Sequence, residues 1–173
     1  MAALIAAAED TACPFEVVLV ASDRPDAAGL AHAASRGIAT FARSPRGIPK
    51  ADYEAAIDDA LRAAGVGTIA LAGYMRLLSG DFVAAWRDRI VNIHPSLLPA
   101  YKGLDTHGRA IAAGDAEAGC SVHVVTEELD AGSVLGQARV PILPDDTADT
   151  LAARVLVEEH RLYPRILAEY VTR

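Results

Sequence analysis

The sequence predicts a three-layer α/β fold built on a mostly parallel sheet. Two observations carry this. Hydrophobic periodicity switches repeatedly between strand-like and helix-like along the chain. The strand-like stretches FEVVLVAS (15–22) and TIALAGY (68–74) are continuous apolar runs rather than alternating ones, as strands covered by helices on both faces require. At 173 residues the chain reads as a single domain, 1–173. That length is enough to bury about 70% of the unfolded chain's surface.

Each element has its own signal. MAALIAAAE opens the chain as a helix with no strand in front of it, which is unusual for a doubly wound domain. The run 15–22 reads as a buried strand bounded by Pro14 and a polar cluster. Asp26 to Arg36 reads as a helix stopped by Gly37. IATFA (38–42) is a short strand. Lys50 to Ala64 is amphipathic, with Tyr53, Ala56, Ile57, Ala60, Leu61 and Ala64 on one face, and Gly65 and Gly67 end it. After the strand 68–74, Ser79 is placed to cap a helix running through Trp86. IVNIH (90–94) is a strand and Thr106 to Ala113 a helix. SVHVVTEELD (121–130) alternates and then turns polar. VLGQARVPIL (134–143) reads as a strand near an edge, because Pro141 cannot donate to a ladder. Thr147 to Tyr170 is a long helix, capped by Thr147 with Thr150 and expected to kink at Pro164.

Composition excludes several classes. The net charge is −7 and no basic run exists to neutralise phosphates, so no nucleic-acid partner is expected. No apolar run reaches the ~20 residues of a spanning helix, and the start lacks the basic region of a signal peptide. A cytoplasmic enzyme or binding domain, with no membrane partner, is the resulting class. Cys13 and Cys120 sit in apolar surroundings and read as two buried free thiols. CxxC, HExxH, GxSxG and GxGxxG are all absent, and five scattered histidines show no metal spacing, so no metal is expected.

Ligands of open α/β sheets bind outside the carboxyl ends of the strands. Three polar strand ends therefore stand out: Gly73 to Arg76, Asn92 to Pro95, and Thr126 to Asp130. Asn92 and His94 lie two apart on one strand and so share a face. An amide and a protonated imidazole at that position can hold a carbonyl oxygen as it becomes an oxyanion. Pro95 and Pro99 stiffen the backbone that follows. The same pattern also describes an ordinary strand end with a surface histidine, and the spacing alone leaves both readings open. Acidic residues before a Gly turn are ordinarily solvated turn formers, and Glu127 and Glu128 read that way. Asp130 has a further role open to it if segment 121–130 runs beside 90–94. It would then reach His94, favour its protonated form and accept a proton through water. His123 reads as a satisfied structural histidine.

NIHPSLLPAYKGLDTH (92–107), GCSVHVVTEELDAGSVLGQARVPI (119–142), AGYMRLLS (72–79) and EEHRLYP (158–164) together resemble the phosphoribosylglycinamide formyltransferase family, the folate-dependent glycinamide ribonucleotide transformylases of purine synthesis. The resemblance covers essentially the whole chain. It implies a Rossmann-like formyltransferase fold with one antiparallel strand near the far edge. It implies formyl transfer from 10-formyltetrahydrofolate to glycinamide ribonucleotide, direct and without metal, in a monomer or homodimer. Asn92, His94 and Asp130 would be the catalytic trio. Lys50, Met75, Arg76, Leu77, Leu78, Val83, Ile90, Val125 and Glu127 would line the folate pocket. Asn92, Pro95 and Glu159 would contact the ribonucleotide. The resemblance also suggests a cis Leu98–Pro99 bond.

The departure lies at the start. The family opens with a strand and a Gly/Ser-rich loop whose amides, with the following helix N-terminus, bind the substrate phosphate. This sequence begins where that loop would end, so the first strand and the phosphate loop are expected to be absent from it. Formyltetrahydrofolate deformylase and methionyl-tRNA formyltransferase use the same trio. The additional domains those enzymes normally carry have no counterpart in this sequence, and YKGLDTH resembles the ribonucleotide-dependent type. A non-enzymatic alternative is a truncated ligand-binding domain, against which the retention of the trio argues.

Overall fold

The computed structural model describes residues 1–173. Its elements run α1 (Ala2–Ala8), β1 (Leu19–Ser22), α2 (Ala28–Ala34), β2 (Ala39–Ala42), α3 (Lys50–Ala63), β3 (Ile69–Leu71), α4 (Gly80–Ala85), β4 (Ile90–His94), α5 (Thr106–Ala113), β5 (Glu117–Val124), β6 (Val134–Pro141) and α6 (Ala148–Val171). β1 pairs with β2, and β3 to β6 form a second group in the order β3-β4-β5-β6. The β1–β2 and β3–β4 pairs are parallel, whereas β5 runs antiparallel to both β4 and β6. This is the mostly parallel sheet with one antiparallel strand expected above. β6 forms its edge, and Pro141 is the last residue of that strand.

Side chains alternate along β4 and divide the core into two layers. Ile90 packs with Leu61 of α3 and with Phe82, Val83 and Trp86 of the α4 segment. Val91 and Ile93 face the opposite way, into a cluster with Leu151, Val155, Leu162, Tyr163, Ile166 and Leu167 of α6 and Leu4 of α1. Asn92 and His94 share the Ile90 face and emerge beyond the α3–α4 layer. α6 starts at Thr147, whose hydroxyl accepts from the Thr150 amide in a reciprocal capping box, and it continues through Pro164 as one element. No helix is long and apolar enough to cross a membrane.

The runs 15–22 and 68–74 form shorter strands than their apolar length predicts. β1 holds four residues and β3 three. Neither strand is fully buried, because β1 and β3 turn unpaired edges towards each other. Between them lies an apolar slot of about 560 Å³, lined by residues 15–23 and 65–74, with Leu4, Ile5, Leu167 and Val171. Cys120 is buried, and burial pushes its thiol up to about 12. Cys13 is only partly buried, contrary to the expectation of two buried thiols, because it lies in the turn after α1 rather than in an element.

The α6 layer is tied to the sheet by one buried phenol. The Tyr163 hydroxyl donates to the carbonyls of Leu71 (3.0 Å) and Val91 (2.9 Å), on adjacent strands. Burial holds that phenol well above the usual tyrosine range. Tyr163→Phe should therefore cost about 1–2 kcal/mol of unfolding free energy, measured by urea denaturation. An unchanged midpoint would show that the bridge contributes nothing.

Candidate active site at the carboxyl end of β4

The site is assembled by strand register. Asn92 lies opposite His123 and His94 opposite Ser121 across the β4–β5 pair, so all four side chains share a face. Asp130 reaches them from the turn after β5. It has a left-handed backbone (φ 48°), which aspartate tolerates better than most residues. Two residues on, Gly132 lies so close to the strand that a Cβ would collide with the Val124 carbonyl. Glycine there lets the turn fold back and carry Asp130 over His94.

Partner chemistry fixes most of the protons. The Val124 carbonyl can only accept, so His123 Nδ1 carries a hydrogen and donates to it at 3.0 Å. His123 Nε2 is then an acceptor and takes an N–H of Asn92 Nδ2 at 3.2 Å. Burial pulls His123 below its ordinary value, against the opposing effects of the Val124 carbonyl and Asp130, which keeps the ring neutral. This fixes the Asn92 amide with one N–H engaged and the other free. His94 donates from Nε2 to the Tyr101 carbonyl at 3.0 Å, and its Nδ1 faces Asp130 Oδ2 at 3.4 Å. The Tyr101 carbonyl can only accept, so Nε2 carries a hydrogen, and a hydrogen on Nδ1 would face the Asp130 carboxylate. Asp130 Oδ2 also accepts from the Gly103 amide at 2.9 Å, and Oδ1 lies 3.6 Å from His123 Nε2. His94 and Asp130 are almost completely buried.

The turn after β4 is held from beneath. Ser121 Oγ accepts from the Leu98 amide (3.0 Å) and from Gln137 (2.9 Å), and donates to the Ser96 carbonyl (2.6 Å). Ser96 Oγ donates to the Ala100 carbonyl. The Leu98–Pro99 bond is cis, as expected. The Ser96 and Ser121 hydroxyls are thus engaged in bracing backbone, and neither is offered as a nucleophile. The arrangement can hold a forming oxyanion and accept a proton.

Three of the sequence-derived residues, Asn92, His94 and Asp130, come together here. The expected folate-pocket residues divide in two. Leu78, Val83, Ile90 and Val125 pack in the cluster around Trp86, with Ile90 fully buried. Met75 and Leu77 stand out of the irregular segment 72–79 at 75% and 68% exposure, so this apolar wall is open to solvent. Arg76 lies over the Tyr53 ring, 5.7 Å from its centre. Lys50 begins α3 with its ammonium 3.9 Å from Glu54, and Glu127 lies against Gly80 at the start of α4. Pro95 lines a separate cavity of about 300 Å³ with Tyr101, Thr106 and His107. Glu159, on α6, makes no hydrogen bond or ion pair with the trio, and burial pushes its carboxyl up. The sequence pattern reads His123 as a satisfied structural histidine. It is satisfied and buried, as that reading says, yet it also orients Asn92 and neighbours Asp130. Only the β4–β5 register, which the sequence pattern does not specify, could have revealed this.

Comparison with known proteins places the chain in a family. A family model described as formyl transferase matches residues 1–167. The chain is 46% identical over 172 residues to the trifunctional purine biosynthetic protein adenosine-3 of Drosophila melanogaster, covering 98% of this chain and 13% of that protein. It is 40% identical over 167 residues to the phosphoribosylglycinamide formyltransferase of Escherichia coli K12, covering 96% and 79% respectively. The chain thus spans only a small part of its animal relatives and most of the bacterial one. A crystal structure of phosphoribosylglycinamide formyltransferase from Brucella melitensis superposes with a TM-score of 0.92 at 53% identity, covering 97% of this chain and 87% of that one.

Two histidines, the buried His123 and the half-buried His107, give the fold an acid limit. Burial lowers both His107 and His123 from the ordinary value of 6.5. Above pH 6.5 both are neutral in the folded and unfolded states, and stability does not depend on them. As pH falls through 6.5, the unfolded chain takes up protons that the folded chain refuses, so stability declines. Melting temperatures at about pH 7.5 and about pH 5.5 should show this fall, and His123→Gln should flatten it. An identical slope in the variant would contradict the assignment.

Proposed function

The chain belongs to the formyl transferase family, and on that premise we propose that it transfers the formyl group of 10-formyltetrahydrofolate to the amine of glycinamide ribonucleotide in purine synthesis, in the cytoplasm, as a single domain. The observation that carries this reading is the convergence of Asn92, His94 and Asp130 on one buried point at the carboxyl edge of β4. Relatives at 40% and 53% identity bearing the name phosphoribosylglycinamide formyltransferase support it.

The residues present fit a formyl folate. Met75, Leu77 and Leu78 offer an apolar wall suited to a flat ring, and Lys50 and Arg76 offer cations suited to an acidic tail. Such a donor supplies an activated formyl carbon. When the amine attacks that carbon, the carbonyl electrons move to oxygen. The free N–H of Asn92 donates to that oxygen, and His94 adds a second donor from Nδ1, whose 3.4 Å approach to Asp130 is long enough to be shared. Asp130, facing His94 Nδ1, takes up, through water, the proton that the attacking nitrogen loses. The carbonyl then re-forms, the bond from formyl carbon to the donor nitrogen breaks, and that nitrogen receives a proton. Pro95 and Glu159 are assigned to the ribonucleotide, and Val83, Ile90, Val125 and Glu127 back the donor pocket.

The test is formyl transfer with 10-formyltetrahydrofolate, with and without glycinamide ribonucleotide. Turnover that requires the ribonucleotide is expected. Turnover of equal rate without it would mean that water is the acceptor and would overturn the reading. Asn92→Ala should lower kcat by on the order of 100-fold, the usual cost of losing an oxyanion donor.

A further inference from the structure

α3 carries a buried carboxylate where its sequence pattern predicts none. The apolar face of the helix runs through Tyr53, Ile57 and Leu61, yet Glu54 is only 6% exposed. A carboxylate so placed is costly unless it is hydrogen-bonded. Its partners are the Ser79 amide, 2.9 Å from Oε1, and the Lys50 ammonium at 3.9 Å. An apolar side chain would fill the position at less cost, and such local violations concentrate where function requires them.

The bond falls at a meaningful place. Ser79 is the N-cap of α4, its hydroxyl accepting from Phe82. α4 is six residues long, too short to stand without support. α3 holds both its ends: Glu54 takes the Ser79 amide, and Asp58, one turn further along, accepts from the indole nitrogen of Trp86, the C-cap residue, at 2.6 Å. The irregular segment Met75–Leu78 leads directly into the end that Glu54 holds. The neighbouring Tyr53 ring lies beneath Arg76 of the same segment.

We propose that Glu54 is a positioning residue of the formyl-donor pocket: through the Ser79 amide it fixes the Met75–Leu78 wall, and through the i, i+4 pair it orients Lys50. This rests on the function proposed above. Glu54 does not touch the reacting atoms. It sets how tightly the donor is held, not how fast the bond changes once it is bound.

The experiment combines three variants with two readouts, equilibrium binding of a non-reactive folate analogue and steady-state kinetics. Glu54→Ala should weaken analogue binding and raise the donor KM about tenfold, with kcat reduced less than threefold and the ribonucleotide KM little altered. Glu54→Gln keeps an acceptor for Ser79 and loses the charge opposite Lys50, so it should recover most of that affinity. Asp58→Ala loosens the far end of α4 and should lower the melting temperature with no comparable effect on analogue binding. Equal weakening by Glu54→Ala and Asp58→Ala would overturn the proposal in favour of general loosening of α4. Unchanged analogue binding in a folded Glu54→Ala protein would also overturn it. Wild-type protein that binds no analogue and transfers no formyl group would instead sink the proposed function, a result separable from either.

Discussion

The register of β4 against β5 is the constraint on which the site depends. It sets Asn92 opposite His123 and His94 opposite Ser121. A slip of one residue would turn one strand's members of these pairs to the α6 side and put Val91 and Ile93 in their place. The hydrophobic cost of that exchange locks the register, because Val91 is fully buried in the α6 layer. The core that holds the fold together thereby also holds the chemistry in line.

Burying so many polar groups at a strand end is tolerated because nearly all of them are paired. His94, Ser96, Ser121 and His123 are buried, and each has hydrogen-bond partners. The exception near the site is His107, whose Nδ1 is buried with no partner in the cavity lined by Pro95. The network divides the labour. Ser121 and Gln137 brace the turn after β4, His123 orients Asn92, and the Gly103 amide together with His94 Nδ1 faces Asp130. The loops at 99–105 and 126–133, joined through Gly103 and Asp130, close over the imidazole from opposite sides. The low polarity around a group enclosed in this way strengthens its attraction to any charge that develops beside it.

Much of this was legible in the sequence. β4 and α5 fall where their patterns place them, because a five-residue apolar-polar strand end and a Gly-stopped helix leave little choice. The Ser79 and Thr147 caps were readable from residue type alone. Asn92 and His94 were legible as a pair because strand periodicity forces them to one face. Asp130 was readable only on the condition that its segment lay alongside β4. Less legible were features that depend on long-range contacts. The lengths of β1 and β3 depend on what lies at their facing edges, which local apolarity does not encode. The dual position of His123 depends on register. The burial of Glu54 depends on where the 72–79 segment crosses α3, which the local pattern of that helix does not encode.

The central claim is that Asn92 and His94 grip one and the same oxygen. A double-mutant cycle on kcat for formyl transfer, using Asn92→Ala, His94→Ala and the pair, tests it most directly. Two donors to a single developing charge act as a unit, so the double variant should lose little more than the worse single variant, leaving a coupling of more than about 1 kcal/mol. Effects that simply add would mean that the two side chains serve separate steps, and the shared oxyanion site would have to be abandoned.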